Sequence, residues 1–138
     1  MTQVMKVKTG SKFEDQYSYS RIVSVDNWIF VSNTAGRNPT TKEISEDLTE
    51  QTKQVFTNIE TALIGVNSSL EDVISARIFV PNPEDTFMVM DIFGEQFKGI
   101  DPTITVTNSP LVASYYKVEI EVTAYRNASK AEIKKLAF

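Results

Sequence analysis

The stretch Lys117-Val118-Glu119-Ile120-Glu121-Val122-Thr123-Ala124-Tyr125 decides the fold. Its apolar residues alternate strictly. Val118, Ile120, Val122 and Ala124 fall on one face, and Glu119, Glu121, Thr123 and Tyr125 on the other. β-branched residues are frequent and neither Gly nor Pro interrupts the run, so it reads as a strand. The first face belongs on a core. The second carries two carboxylates one pleat apart and requires water or a polar site.

Working outward, the neighbouring segments supply partners for that strand. Residues 19–25 and 28–33 flank Asp26-Asn27, two short polar residues that tolerate positive φ, and this predicts a tight hairpin. Residues 33–41 hold Gly36, Asn38 and Pro39 and read as loop. Residues 47–66 predict a helix, with Leu48, Val55, Ile59, Ala62, Leu63 and Val66 at helical spacing and Thr52 as the polar exception. Asp47 starts it, and Gly65 or Asn67 ends it. Residues 73–80 predict a strand with Ile74, Ala76, Ile78 and Val80 on one apolar face.

Asn82-Pro83-Glu84-Asp85 opens a second helix, running to about Lys98 with Gly99 at its end: a cap residue, a first-turn proline, then acids at the positive dipole end. Its large residues Phe87, Met88, Val89, Met90, Ile92, Phe93 and Phe97 spread around much of the circumference. Two readings stay open for them, burial on two sides within the monomer or contact with another subunit. Residues 102–107 predict a strand. Residues 4–8 predict a short edge strand, 10–16 a loop, and 128–136 a short terminal helix. The order is hairpin, helix, strand, helix, strand, strand. Its natural architecture is one sheet with two helices packed on one face, an α+β fold.

Composition narrows the chemistry. The 138 residues suit one domain, residues 1–138. No apolar run reaches membrane-spanning length, so no membrane association is expected, and a cytoplasmic location is the default. The chain has no cysteine and no histidine. That removes disulfides, thiol nucleophiles, Cys/His metal sites and imidazole acid–base groups, so no metal or cofactor is expected. The net charge of −4 disfavours a nucleic-acid partner. Lys130, Lys134 and Lys135, the one basic cluster, read as the solvated side of the terminal helix.

Several pieces in one order resemble the reactive intermediate deaminase family, also called RidA or YjgF-like. These are Tyr19-Ser20-Arg21, Trp28-Ile29-Phe30-Val31-Ser32, Gln51-Thr52 through Asn58-Ile59, Ser69-Leu70-Glu71-Asp72-Val73 with Phe79-Val80, and Val118-Glu119-Ile120-Glu121. The resemblance runs from Tyr19 to Tyr125. It implies a chorismate-mutase-like fold and a homotrimer whose sheets form a central barrel, with small-molecule sites in intersubunit clefts. It also implies hydrolysis of imines and enamines. Carried onto this chain, it makes Glu119 the residue that places the attacking water, and Tyr19 and Ser32 pocket residues. Glu121 has no catalytic role in the family.

The position of the family's carboxylate-binding arginine, two residues after Pro102, holds Ile104. Isoleucine cannot make a charge-assisted bidentate contact. Arg21, on the face of Tyr19, is the candidate to replace it. The glycine and polar residue that usually follow the serine are here Asn33 and Thr34. Three functions follow as expectations. The first is an imine or enamine hydrolase that is not the typical carboxylate-imine deaminase. The second is a non-catalytic metabolite-binding protein. The last is an endoribonuclease, which the missing histidine and the negative charge disfavour.

Overall fold

The computed structural model describes all 138 residues. Six strands form one mixed sheet in the order β1-β2-β3-β6-β4-β5. These are β1 (Val4–Val7), β2 (Ile22–Val25), β3 (Trp28–Ala35), β4 (Val73–Phe79), β5 (Thr103–Thr107) and β6 (Glu119–Tyr125). Three helices accompany them: α1 (Lys12–Gln16), α2 (Leu48–Ile64) and α3 (Thr86–Gln96). The opening strand sits near the middle of the sheet, antiparallel to β3 on one side and to β4 on the other. β4 and β5 run parallel, joined through α3, as a βαβ crossover requires.

The hairpin forms as its turn residues dictate. Asp26 takes φ 51 and Val25 faces Trp28 across the turn. Asp47 caps α2 by accepting from Thr49 N. At the far end Gly65 closes the helix and Asn67 takes φ 62. The apolar stripe of α2, with Val55, Phe56, Ile59 and Leu63, packs on Ile29, Val31, Ile120, Val122 and the buried residues of β4. α3 adds Val89 and Phe93, and Phe97 follows them into the same core. Phe56, Phe93 and Phe97 meet with ring centroids 4.5 to 6.0 Å apart, which locks the two helices together. Phe87 and Met88 stay exposed, so α3 is not buried on two sides within the protomer.

Three expectations are corrected. Residues 10–16 are not all loop: Ser11 caps the five-residue α1, whose Glu14 is fully buried. A helix this short leaves no readable periodicity. The terminal helix over 128–136 is absent; only Ala128–Lys130 turns. Ile133, Leu136 and Phe138 beyond it lie exposed, and a short helix with no surface to pack on has little to stabilise it. On β4 a bulge between Val73 and Ser75 reverses the alternation, turning Val73 into the core and Ile74 out.

Both helices of the core lie on one side of the sheet. The other side carries Trp28, Phe30, Ile74 and Tyr125, all among the exposed large hydrophobics, together with the polar face of β6. No helix is long and apolar enough to cross a membrane.

Candidate functional site

Two polar side chains of α2, the buried Gln51 and the half-buried Asn58, fix the sheet end where the candidate residues gather. Gln51 donates to the carbonyls of Ser45 and Tyr115, at 2.9 and 3.1 Å, and accepts from Lys117 N at 2.7 Å. It thereby ties the entry of β6 to the helix. Asn58 donates to the carbonyls of Ala35 and Arg37, at 3.0 and 2.8 Å, and so holds the exit of β3. Gly36 lets the two come this close. A Cβ there would lie 2.2 Å from the Gln51 backbone oxygen.

Glu119 opens β6, opposite Ala35 on one neighbour and Phe79 on the other. Just upstream, β3 bulges: Val31 faces Val122 and Thr34 faces Ile120, so β3 spends one more residue than β6. Val31 and Thr34 both point into the core, and the half-buried Ser32 and Asn33 sit between them. Asn33 Nδ2 donates to Glu119 Oε1 at 2.9 Å. Its other amide atom, Oδ1, is buried without a partner. Arg21 Nη1 donates to the Asn33 carbonyl at 3.1 Å.

Behind Arg21 lies Glu14 of α1. Its carboxylate accepts from Thr9 N, Thr9 Oγ1 and Gly10 N, at 2.8, 2.8 and 3.2 Å, and Arg21 Nε stands 3.9 Å away. The assembly is therefore a line of four residues, Glu14–Arg21–Asn33–Glu119, in which Arg21 reaches Asn33 through its main-chain carbonyl and Asn33 reaches Glu119 through its side chain. Burial pushes the Glu119 carboxyl above its ordinary value, and the positive charge of Arg21 offsets part of that rise. A carboxyl held this way is suited to exchanging a proton with water.

The remaining sequence candidates fall in different places. The Ser32 hydroxyl donates to the Ser20 carbonyl at 2.7 Å, which leaves only its lone pairs for a ligand. Ser20, Val23, Phe30, Ser32, Glu121 and Thr123 line a shallow groove of about 210 Å³ on the uncovered face. Tyr19 is 37% exposed and its backbone N–H bonds the Glu14 carbonyl, beside the same cluster. Glu121 forms a two-point ion pair with Arg77, at 2.9 and 3.2 Å.

Ile104 is not beside Glu119 within the protomer. It pairs with Ala76, on the helix side of the sheet, and lines a depression with Phe93, Phe97 and Lys98. Glu119 lies on the opposite side, beside Phe79, whose β5 neighbour is Thr107. Asn33 and Glu14 were not among the sequence candidates. Asn33 carried one signal, a side chain where the family resemblance leads one to expect glycine. Glu14 carried none. No group of three or more Asp or Glu side chains converges as a metal site would need.

A single mixed sheet with both core helices on one side, and a polar cluster at the β3–β6 end, defines the class: a small α+β protein with a candidate ligand site on its uncovered face. Relatives place it more narrowly. The family described as Endoribonuclease L-PSP matches residues 9–126. A member of the YjgF/YER057c/UK114 family from Mycobacterium tuberculosis superposes with a TM-score of 0.81 at 30% identity, covering 89% of this chain and 99% of its own. A RutC family protein from Pyrococcus abyssi is 29% identical over 109 residues, which is 78% of this chain and 86% of that one. A 2-iminobutanoate/2-iminopropanoate deaminase from Dermatophagoides farinae is 27% identical over 104 residues, or 75% and 81% of the two chains. The chain belongs to the RidA/YjgF-like family.

Proposed function

We propose that the protein is a cytosolic hydrolase of imines, enamines or closely related small compounds, with Glu119 as the group that handles water. The observation that carries this is the Glu119 carboxyl itself: half-buried, raised above its ordinary value, and held by one hydrogen bond from Asn33. In the reaction, Glu119 takes a proton from water as the water oxygen bonds the C=N carbon. The π pair moves onto nitrogen, which takes that same proton from Glu119. Glu119 then moves the carbinolamine hydroxyl proton to nitrogen as the C–N bond breaks, so ammonia and a carbonyl compound leave and Glu119 is again a carboxylate. The deaminase relative from Dermatophagoides farinae supports this reaction class.

The same reading includes a homotrimer with the uncovered face turned inward and the ligand in the intersubunit clefts. Trp28, Phe30, Ile74 and Tyr125 support it, because an exposed apolar face of this kind calls for a covering partner. It also offers a way to bring Ile104 of one subunit toward Glu119 of another, which a single protomer does not do. An RNA-cleaving role has less support: on this face Arg77 is spent on Glu121, and Arg21 on Glu14 and the Asn33 carbonyl.

The test is ammonia release from freshly generated imines, comparing wild type with Glu119→Ala. Loss of a general base lowers the rate by about 10²–10⁴-fold. Equal rates in the two proteins exclude the reading. Stabilisation by metabolites without any hydrolysis identifies a binding protein instead.

A further inference from the structure

The cluster that presents Glu119 contains one cation and two carboxylates. Arg21 faces Glu14 at 3.9 Å on one side, and on the other donates through Nη1 to the Asn33 carbonyl. Glu14 is entirely buried and holds its place through three hydrogen bonds from Thr9 and Gly10. It cannot swing away to release the guanidinium without breaking that loop. A guanidinium recognises a ligand carboxylate by offering a free pair of parallel donors and an unbalanced charge. Arg21 lacks the unbalanced charge, and its Nη1 is already committed to the Asn33 carbonyl. The Arg77 cation on the same sheet face closes on Glu121 through both Nε and Nη2. By formal charge, Glu14, Arg21 and Glu119 together sum to −1, so the site holds no excess of positive charge. Its buried unsatisfied atom, Asn33 Oδ1, is an acceptor, which adds to the negative side.

We propose that Glu14 is a specificity-determining residue: by neutralising Arg21 it makes the Glu119 site reject carboxylates and take nitrogen compounds that are neutral or cationic, namely amine-derived imines without a carboxylate. The inference rests on the reading of Glu119 as the site. It differs from that reading in naming what enters and which residue decides it. Arg21, the candidate to replace the missing arginine, then acts as a positioning residue that orients the β3 bulge. It does not anchor substrate. Asn33 fixes the Glu119 carboxylate from the other side.

The test uses the full chain at constant pH and ionic strength. Thermal stabilisation and calorimetric binding are measured with propylammonium chloride and with sodium propionate, for wild type and Glu14→Gln. In wild type the ammonium binds and the propionate does not. In Glu14→Gln the preference shifts toward propionate by tenfold or more, because Arg21 is left with an uncompensated charge. Wild type that binds propionate as well as propylammonium overturns the proposal, as does wild type that binds neither. An unchanged preference in folded Glu14→Gln overturns it too. Should that variant fail to fold, Arg21→Gln carries the test: propylammonium binding strengthens, and a weakening overturns the proposal.

The same proteins are assayed on a carboxylate imine and on its counterpart lacking the carboxylate. Retained ammonium preference without any hydrolysis removes the enzymatic reading and leaves this inference standing. Hydrolysis that favours the carboxylate imine removes this inference alone.

Discussion

On the helix side of β6, Val118, Ile120, Val122 and Ala124 are at most 1% exposed. On the other side Glu119, Glu121 and Thr123 are half-buried and Tyr125 is exposed. The two faces share one backbone, one set of neighbours and one register. They differ in what each side chain is asked to do. The covered face stabilises the monomer by removing apolar area from water. The uncovered face holds groups whose arrangement costs stability or contributes little to it: a carboxyl pushed toward neutrality, a solvent-facing ion pair, and apolar rings in water. Side chains that do not help a monomer fold are the ones expected to serve a ligand or a partner.

The largest effect that sharpens the contrast is at Ile120. Truncation to Ala on the covered face should cost about 2–5 kcal/mol in urea unfolding, from lost burial and the cavity left behind. A loss below 1 kcal/mol would break the comparison. Next is Gly36→Ala, where a methyl group meets the Gln51 backbone oxygen. Overpacking of this kind costs about 1–3 kcal/mol. Because Gln51 also fixes Lys117, the variant should additionally disturb the Asn33–Glu119 contact, visible as an altered amide spectrum at the β6 entry. Smallest is Arg77→Ala on the uncovered face, which should leave the melting temperature where it is, since an exposed ion pair contributes little.

Strict alternation in β6, the Asp26-Asn27 turn and the period of α2 were readable because each is a local pattern that the structure keeps, with only the buried Gln51 and Thr52 departing from it in α2. Where the chain departs from regular period, reading failed. The β4 bulge reverses Val73 and Ile74, and the residue count alone cannot place it. The β3 bulge likewise brings Asn33 over Glu119, although alternation alone would set neighbouring residues on opposite faces. Glu14 was hidden by distance: it lies far along the chain from Glu119, in a segment too short for periodicity to show. Glu119 stood out as a candidate only through the family resemblance, since a lone strand glutamate is ordinarily a solvated residue.

The most direct measurement joins stability and activity in one substitution, Glu119→Gln. Burial raises the folded-state value of this carboxyl above its ordinary 4.5. The sign follows: its contribution to stability is fully present below that ordinary value and is lost as pH rises through the folded value, because ionisation is harder in the folded state. Glutamine cannot ionise, so at neutral pH the variant should melt higher than wild type, with a flatter stability profile across the acid range. Its imine hydrolysis should fall by about 10²–10⁴-fold. Opposite movements of melting temperature and rate are what a site held at the expense of stability predicts. A variant that melts lower at neutral pH while keeping the wild-type rate would contradict it.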